Sequence, residues 1–265
     1  MNLKLQWRYF LLALGFFTRL PVPSFPDFQE SDLNHSARYF PLVGVLVGLL
    51  AAVTWWLAAL LFPASIAVLC SMAVTIYLTG AFHEDGLADS ADGLGGGLDR
   101  KRKLEIMQDS RLGSYGAVAL VGMLLFKFHT LSALPAAMLP FSLIAGHALS
   151  RLAAVYIMAT TQYARPAGKS KPLATALTQN DLWFASVFGL WSWIGFASLL
   201  WLNHGGAGAL RFLLLTALPV FLAWEWWRRL LLRNLQGYTG DTLGATQQLT
   251  ELAFYLGLLA WSQLA

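Results

Sequence analysis

Tyr39 to Phe62 reads YFPLVGVLVGLLAAVTWWLAALLF, a run without one charged side chain. A helix needs roughly 20 mostly apolar residues to cross the hydrocarbon core of a bilayer, and this run is long enough. It lacks the polar–apolar alternation of a barrel strand and the polar stripe of a surface helix. It therefore reads as a membrane-spanning helix. Six more such runs follow: Ala64 to Phe82, Tyr115 to Leu134, Ala136 to Thr161, Leu182 to Asn203, Leu210 to Leu232 and Ala245 to Leu264. The expected fold is all-α, a polytopic integral membrane protein of about seven transmembrane helices forming one membrane domain over residues 1–265. Composition agrees, since 57% of the chain is apolar and only 12% charged, where a soluble domain carries about 25%. A soluble globular protein and a disordered chain are both excluded. Cys70 is the single cysteine, so no intrachain disulfide forms.

The basic residues mark the sides. Lys4, Arg8, Arg19 and Arg38 precede the first run, and Arg100, Lys101, Arg102, Lys103 and Arg111 separate the second from the third. Arg165, Lys169 and Lys171 lie between the fourth and fifth, and Arg228, Arg229 and Arg233 end the sixth. Only Lys127, Arg151 and Arg211 fall elsewhere. Cytoplasmic connections carry the excess of Lys and Arg, so the pattern predicts a cytoplasmic N-terminus and an exterior C-terminus. The net charge of +4 serves this sorting and gives no support to nucleic acid as a partner. Residues 1–38 form a cytoplasmic or interfacial segment. Its short apolar stretch, Tyr9 to Phe17, has no small-residue cleavage site and is broken by Pro21, Pro23 and Pro26. An interfacial helix fits it better than a secretory signal.

Half of the fourteen acidic residues fall between Glu84 and Asp109. They lie in a segment, residues 83–114, expected to form an acidic, glycine-rich cytoplasmic active-site loop. If the second run continues as a helix, Asp85, Asp89 and Asp92 lie within about 60° of one another on one face. Like charges so placed repel, more strongly where a membrane lowers the dielectric, and a divalent cation relieves them. Carboxylates without thiols suit Mg2+, which typically binds one or two carboxylates plus substrate phosphates. A merely solvated loop end would not place three Asp on one helical face. Gly95, Gly96 and Gly97 would let backbone N–H groups approach a phosphate, and Arg111 suits two-point contact with one. The plainer readings are a flexible linker and a topology marker.

A second cytoplasmic polar segment, residues 233–246, carries Asp241, whose plainer role is a helix N-cap. Glu251 stands well inside an apolar run, as do Lys127, His129, His147, Arg151 and Glu225. Ionisable groups at such depth are functional candidates, although Glu225 can pair locally with Arg228 or Arg229. Together these residues describe a membrane enzyme with a Mg2+-dependent phosphate site facing the cytoplasm.

Three groups of residues go further: Glu84-Asp85-Gly86-Leu87-Ala88-Asp89 with Asp92-Gly93, Asp109-Ser110-Arg111 with Gly113 and Tyr115-Gly116, and Thr239-Gly240-Asp241 with Leu243-Gly244-Ala245. They closely resemble the cobalamin synthase family, adenosylcobinamide-GDP ribazoletransferase. Phe17-Thr18-Arg19-Leu20-Pro21-Val22-Pro23 and Phe40-Pro41-Leu42-Val43-Gly44 resemble its N-terminal pattern, so the likeness runs along essentially the whole chain. The resemblance implies the last assembly step of adenosylcobalamin, in which phosphocobinamide passes from adenosylcobinamide-GDP to α-ribazole or its 5′-phosphate with release of GMP. It also implies Mg2+ as cofactor and the bacterial cytoplasmic (inner) membrane as location. On that reading Asp85, Asp89 and Asp92 hold Mg2+ with Glu84 in support. Gly95, Gly96, Gly97 and Arg111 meet phosphate oxygens, Arg151 and Glu251 join the substrate-binding set, and His83, Asp109 or Asp241 takes the hydroxyl proton. The partners are then these small molecules and the lipid bilayer, with a homo-oligomer left open. A CDP-alcohol phosphotransferase would show an Ala-Arg pair after its first Asp-Gly and an Asp-x-x-x-Asp close. An aspartate-rich prenyltransferase would repeat its motif, and a cation-coupled secondary transporter would show inverted repeats around a mid-membrane site. None of these features is visible in the chain.

Overall fold

The computed structural model describes residues 3–27, 29–165 and 177–264, which leaves Lys169 and Lys171 outside the described residues. The elements are helices: α1 (Leu3–Phe17), α2 (Glu30–Ser36), α3 (Phe40–Ala59), α4 (Ala64–Thr79), α5 (Phe82–Gly96), α6 (Arg100–Ile106), α7 (Ser114–Ala133), α8 (Leu139–Thr160), α9 (Gln179–Leu235) and α10 (Gly240–Leu264). Beside them stand two short 3-10 turns and a single bridge between Tyr163 and Tyr238. The all-α membrane architecture is borne out. Among the described residues, four helices are each long and apolar enough to cross a bilayer, and α4 with α5 makes a fifth if taken as one broken span. The figure of seven crossings additionally counts the two arms of α9 separately and includes α10, whose first half carries Asp241, Gln247, Gln248 and Glu251.

α8 is the axis of the bundle, its most apolar stretch 83% buried against 22% for that of α9. α3 closes onto it through Gly44 and Gly48. A Cβ on Gly48 would lie 2.6 Å from the Ile144 Cα, and one on Gly44 2.9 Å from the Ala148 Cα. In lipid, small residues four apart are what allow two helix backbones to approach so closely.

α9 joins the two runs that were expected to be separate helices. It has one break, at Gly205 (φ 66°, ψ −178°), a conformation essentially reserved for glycine. Trp193 donates to Thr216 across this break at 2.9 Å, and the Phe196 and Phe212 rings lie 5.0 Å apart. Residues so distant in sequence cannot touch along one straight helix rising 1.5 Å per residue. The chain therefore turns back at Gly205 into a hairpin.

The polar segments are shorter than expected. Residues 83–114 are mostly helical, since α5 and α6 occupy them and leave 97–99 and 107–113 irregular; 233–246 shrinks to the connection 236–239. The second run does not continue straight either. α4 stops at Gly80 and Ala81, both with left-handed backbone, and α5 departs at 83° to it. Helicity resumes on a new axis, so Asp85, Asp89 and Asp92 still follow helical spacing, on the bent arm that α5 makes with α4.

The N-terminal segment docks on α9. Buried Asp181, in the first turn of α9, accepts from Arg38 Nε at 2.7 Å and from the Thr178 hydroxyl at 2.6 Å, with the His35 ring 3.3 Å away. Glu225 pairs with Arg228 at 2.7 Å and Arg229 at 2.6 Å, as their spacing suggests. At the end of the bundle where α5 lies, Arg100 donates to the carbonyls of Leu235 and Ala164, and Lys103 reaches Asn234 at 2.7 Å.

Candidate active site

α5 and α10 cross where Gly86 faces Gly244. A Cβ on Gly86 would sit 2.6 Å from the Asp241 carbonyl oxygen, and one on Gly244 3.3 Å from the Gly86 Cα. This contact carries Asp241 beside Asp85 and Asp89. The acids feel one another: burial first, then Asp85, Asp241 and Asp92, push the Asp89 carboxyl up to about 7, with Arg165 pulling the other way. Burial also pushes Asp241 up, against the Arg165 guanidinium, which donates to Asp241 Oδ2 at 2.6 Å. The Thr239 hydroxyl donates to the same oxygen at 3.2 Å.

The other two expected metal ligands, Asp92 and Glu84, are engaged by other partners. Asp92 accepts the Gly113 N–H at 2.7 Å and the Gly116 N–H at 2.8 Å, one on each carboxylate oxygen. It thereby caps α7 from outside, where otherwise unpaired N–H groups favour an anion. A side chain on Gly113 or Gly116 would run into that carboxylate, which accounts for both glycines. Glu84 turns inward, accepting from Gln248 Nε2 at 3.0 Å and lining a very small void with Lys127, His147 and Glu251. Among the described residues, no three His, Cys, Asp or Glu side chains converge to hold a metal ion unaided. Asp85 and Asp89 remain, with Asp241 adjacent. Such a pair suits Mg2+, which needs only one or two carboxylates when phosphate oxygens complete its shell.

Gly95, Gly96 and Gly97 do not form an open cradle. The first two end α5, and the Gly97 N–H donates to the Gly93 carbonyl at 3.1 Å. A Cβ on Gly95 would meet the Tyr115 ring at 2.6 Å, and one on Gly97 the Lys103 nitrogen at 2.7 Å, so these glycines admit α7 and α6. Arg111 and Asp109 pair with each other, the arginine side chain 87% exposed. That hydrogen bond holds the Asp109 carboxyl down to about 2, which makes it a weak proton acceptor.

A cavity of about 230 Å³ opens beside Asp241. His83, Arg151, Arg165, Asp241 and Gln247 line it together with Phe16, Phe17, Phe40, Phe82 and Tyr163, whereas Asp109, Arg111 and Gly95 to Gly97 do not. Phe17 stacks on the His83 ring at 5.6 Å and meets Phe40 edge-on at 4.5 Å. The Arg151 guanidinium lies 5.8 Å from the Phe17 centroid. His83 Nε2, Arg151 Nε and Arg165 Nε are all buried without a hydrogen-bond partner. Burial, reinforced by Arg151, holds the His83 imidazole well below its ordinary range, so the ring is neutral.

Glu251 does not line this cavity. It lies beneath it, paired with Lys127 at 2.8 Å and His147 at 3.3 Å, and accepting from Gln247. Arg151 donates to the His147 carbonyl at 3.0 Å. Sequence reasoning missed Arg165, which served there only as a topology marker, and Phe16, Phe82, Tyr163 and Gln247. No local pattern distinguishes them, because long-range packing assembles the cavity. Phe17 and Phe40 stood in the resembling stretches without a role.

A sequence profile of the family described as cobalamin-5-phosphate synthase matches residues 9–259. Among curated relatives, the adenosylcobinamide-GDP ribazoletransferase of Shewanella amazonensis is 47% identical, the match covering 98% of each chain. The protein of that name from Shewanella frigidimarina is 46% identical over 96% of this chain and 95% of its own. The one from Ralstonia pickettii is 44% identical over 98% of both. No solved structure matches the chain.

Proposed function

The chain belongs to the cobalamin-5-phosphate synthase family, and on that premise we propose that it transfers phosphocobinamide from adenosylcobinamide-GDP to α-ribazole or its 5′-phosphate, releasing GMP. The observation that carries the site is the position of Asp241, adjoining the acidic face of α5 on one side and the arginine-lined cavity on the other.

In this reaction the acceptor hydroxyl attacks the phosphorus that bears the cobinamide, and the bond to the bridging oxygen breaks as GMP leaves. Asp85 and Asp89 are the residues that would hold Mg2+ against the diphosphate. Bound there, the ion would supply charge neutralisation to the diphosphate and the departing GMP. Asp241 takes the proton of the attacking hydroxyl. Its upward shift makes it a stronger base than an ordinary carboxylate, and Arg165 and Thr239 fix its orientation. His83, neutral and facing the same cavity, is available as a hydrogen-bonding partner. Arg165 adds positive charge beside the reacting phosphate.

The basic residues of the connections support a bacterial inner-membrane location with this site on the cytoplasmic side and the N-terminus inside. Detergent-purified protein with both substrates and Mg2+ should release GMP. Asp89→Asn should lower turnover by about 10²-fold or more while the melting temperature stays near wild type. Wild-type turnover of this variant at limiting Mg2+ would remove the metal assignment.

A further inference from the structure

The cavity beside Asp241 has two features that ordinary core packing does not explain. The first is Arg151, only 1% exposed, whose guanidinium donates to a backbone carbonyl and lies near a histidine nitrogen; Glu251 and Glu84 act on it through space, but among the described residues no carboxylate is in direct ion-pair contact with it. Its Nε, like Arg165 Nε and His83 Nε2, has no hydrogen-bond partner among the described residues. A buried cation with spare donors around an open space is a receptor for an anion. The second is the apolar part of the lining, where Phe16, Phe17, Phe40 and Phe82 border the same space, with the Phe17 ring beside Arg151.

We propose that this cavity is the acceptor subsite, receiving a fused heteroaromatic ribonucleotide with its ring among the phenylalanines and its phosphate on Arg151. The attacking ribose hydroxyl then lies toward Asp241. The inference rests on the proposed transfer reaction and adds to it the place and recognition of the second substrate. At about 230 Å³, and open on one side, the space is much closer to a mononucleotide than to a corrinoid. Guanine is disfavoured as well, because its N–H edge needs acceptors. Both hydrogen bonds to Asp241 end on Oδ2, which leaves Oδ1 to the attacking hydroxyl, and the Gln247 amide is taken by Ser150, Glu251 and Gln248. A methylated benzimidazole has no such edge, and aromatic walls suit it.

The test compares α-ribazole 5′-phosphate with α-ribazole as acceptors, each under saturating adenosylcobinamide-GDP, and also determines KM for adenosylcobinamide-GDP. Arg151→Gln should raise KM for the phosphorylated acceptor about tenfold or more, while KM for α-ribazole and for the donor stays within about twofold. Ala154→Leu places an isobutyl group in the cavity wall without touching a charge, and should raise KM for both acceptors but not for the donor. This second variant keeps the test decisive if Arg151→Gln fails to fold. Equal effects of Arg151→Gln on the two acceptors would overturn the phosphate contact. Unchanged acceptor KM in Ala154→Leu, or a rise in donor KM in its place, would overturn the subsite while wild-type GMP release still upheld the reaction. No wild-type release with any acceptor would remove the reaction and the subsite together.

Discussion

Asp92 stands in the acidic stretch that suggested a metal site, yet both its oxygens serve the N-terminus of α7. Removing it leaves two N–H groups without partners, at a cost of about 1–3 kcal/mol for each that stays buried. Asp92→Ala should therefore lower the melting temperature in detergent, while the Mg2+ concentration giving half-maximal turnover stays unchanged; a large rise in that concentration would return Asp92 to the metal. Asp89 behaves differently. With its carboxyl pushed up to about 7, the unloaded site is largely protonated below neutrality, and an ion binding there must displace that proton. The apparent Mg2+ affinity measured by calorimetry should weaken by up to about tenfold per pH unit below 7 and level off above it. An affinity flat between pH 6 and 8 would place the ion elsewhere.

The N-terminal segment is held to α9 through Asp181. Burial alone would raise this carboxyl, but hydrogen bonds from Thr178 and Arg38 outweigh it and the net shift is downward. A lowered folded value means stabilisation that is present above the unfolded pKa, about 4, and lost as pH falls through the folded value. Asp181→Asn should thus lower the melting temperature at neutral pH, and the variant should lose less of it than wild type as pH falls below about 4. The consequence reaches the site, since Phe16 and Phe17 at the end of α1 form part of the cavity wall.

Across the bundle, one end gathers the acidic face, the cavity and the connections richest in Lys and Arg. The opposite end carries the α3–α4 connection, with Leu61 79% exposed, while Leu98 between α5 and α6 is 98% exposed at the site end. In a Cys70→Ser background, Leu98→Cys should react with a membrane-impermeant maleimide only after cells are opened. Leu61→Cys should react in intact spheroplasts. The reverse pattern would turn the site outward and contradict the cytoplasmic placement.

The amino-acid order determined what depends on neighbours along the chain. Apolar length and scarce charge make membrane helices, Lys and Arg sort their ends, and four-residue spacing puts Asp85 and Asp89 side by side, because hydropathy and helical period are local properties. Folding decided which acids are free to act. Asp92 meets Gly116 24 residues away, Glu84 meets Gln248 164 away, and Arg165 reaches Asp241 across 76. Such pairings are set by how closely two helix backbones can approach and by where α5 bends away from α4. No short window of sequence contains either. For the same reason the cavity, drawn from α1, α3, α5, α8 and α10, exists only once those helices have packed.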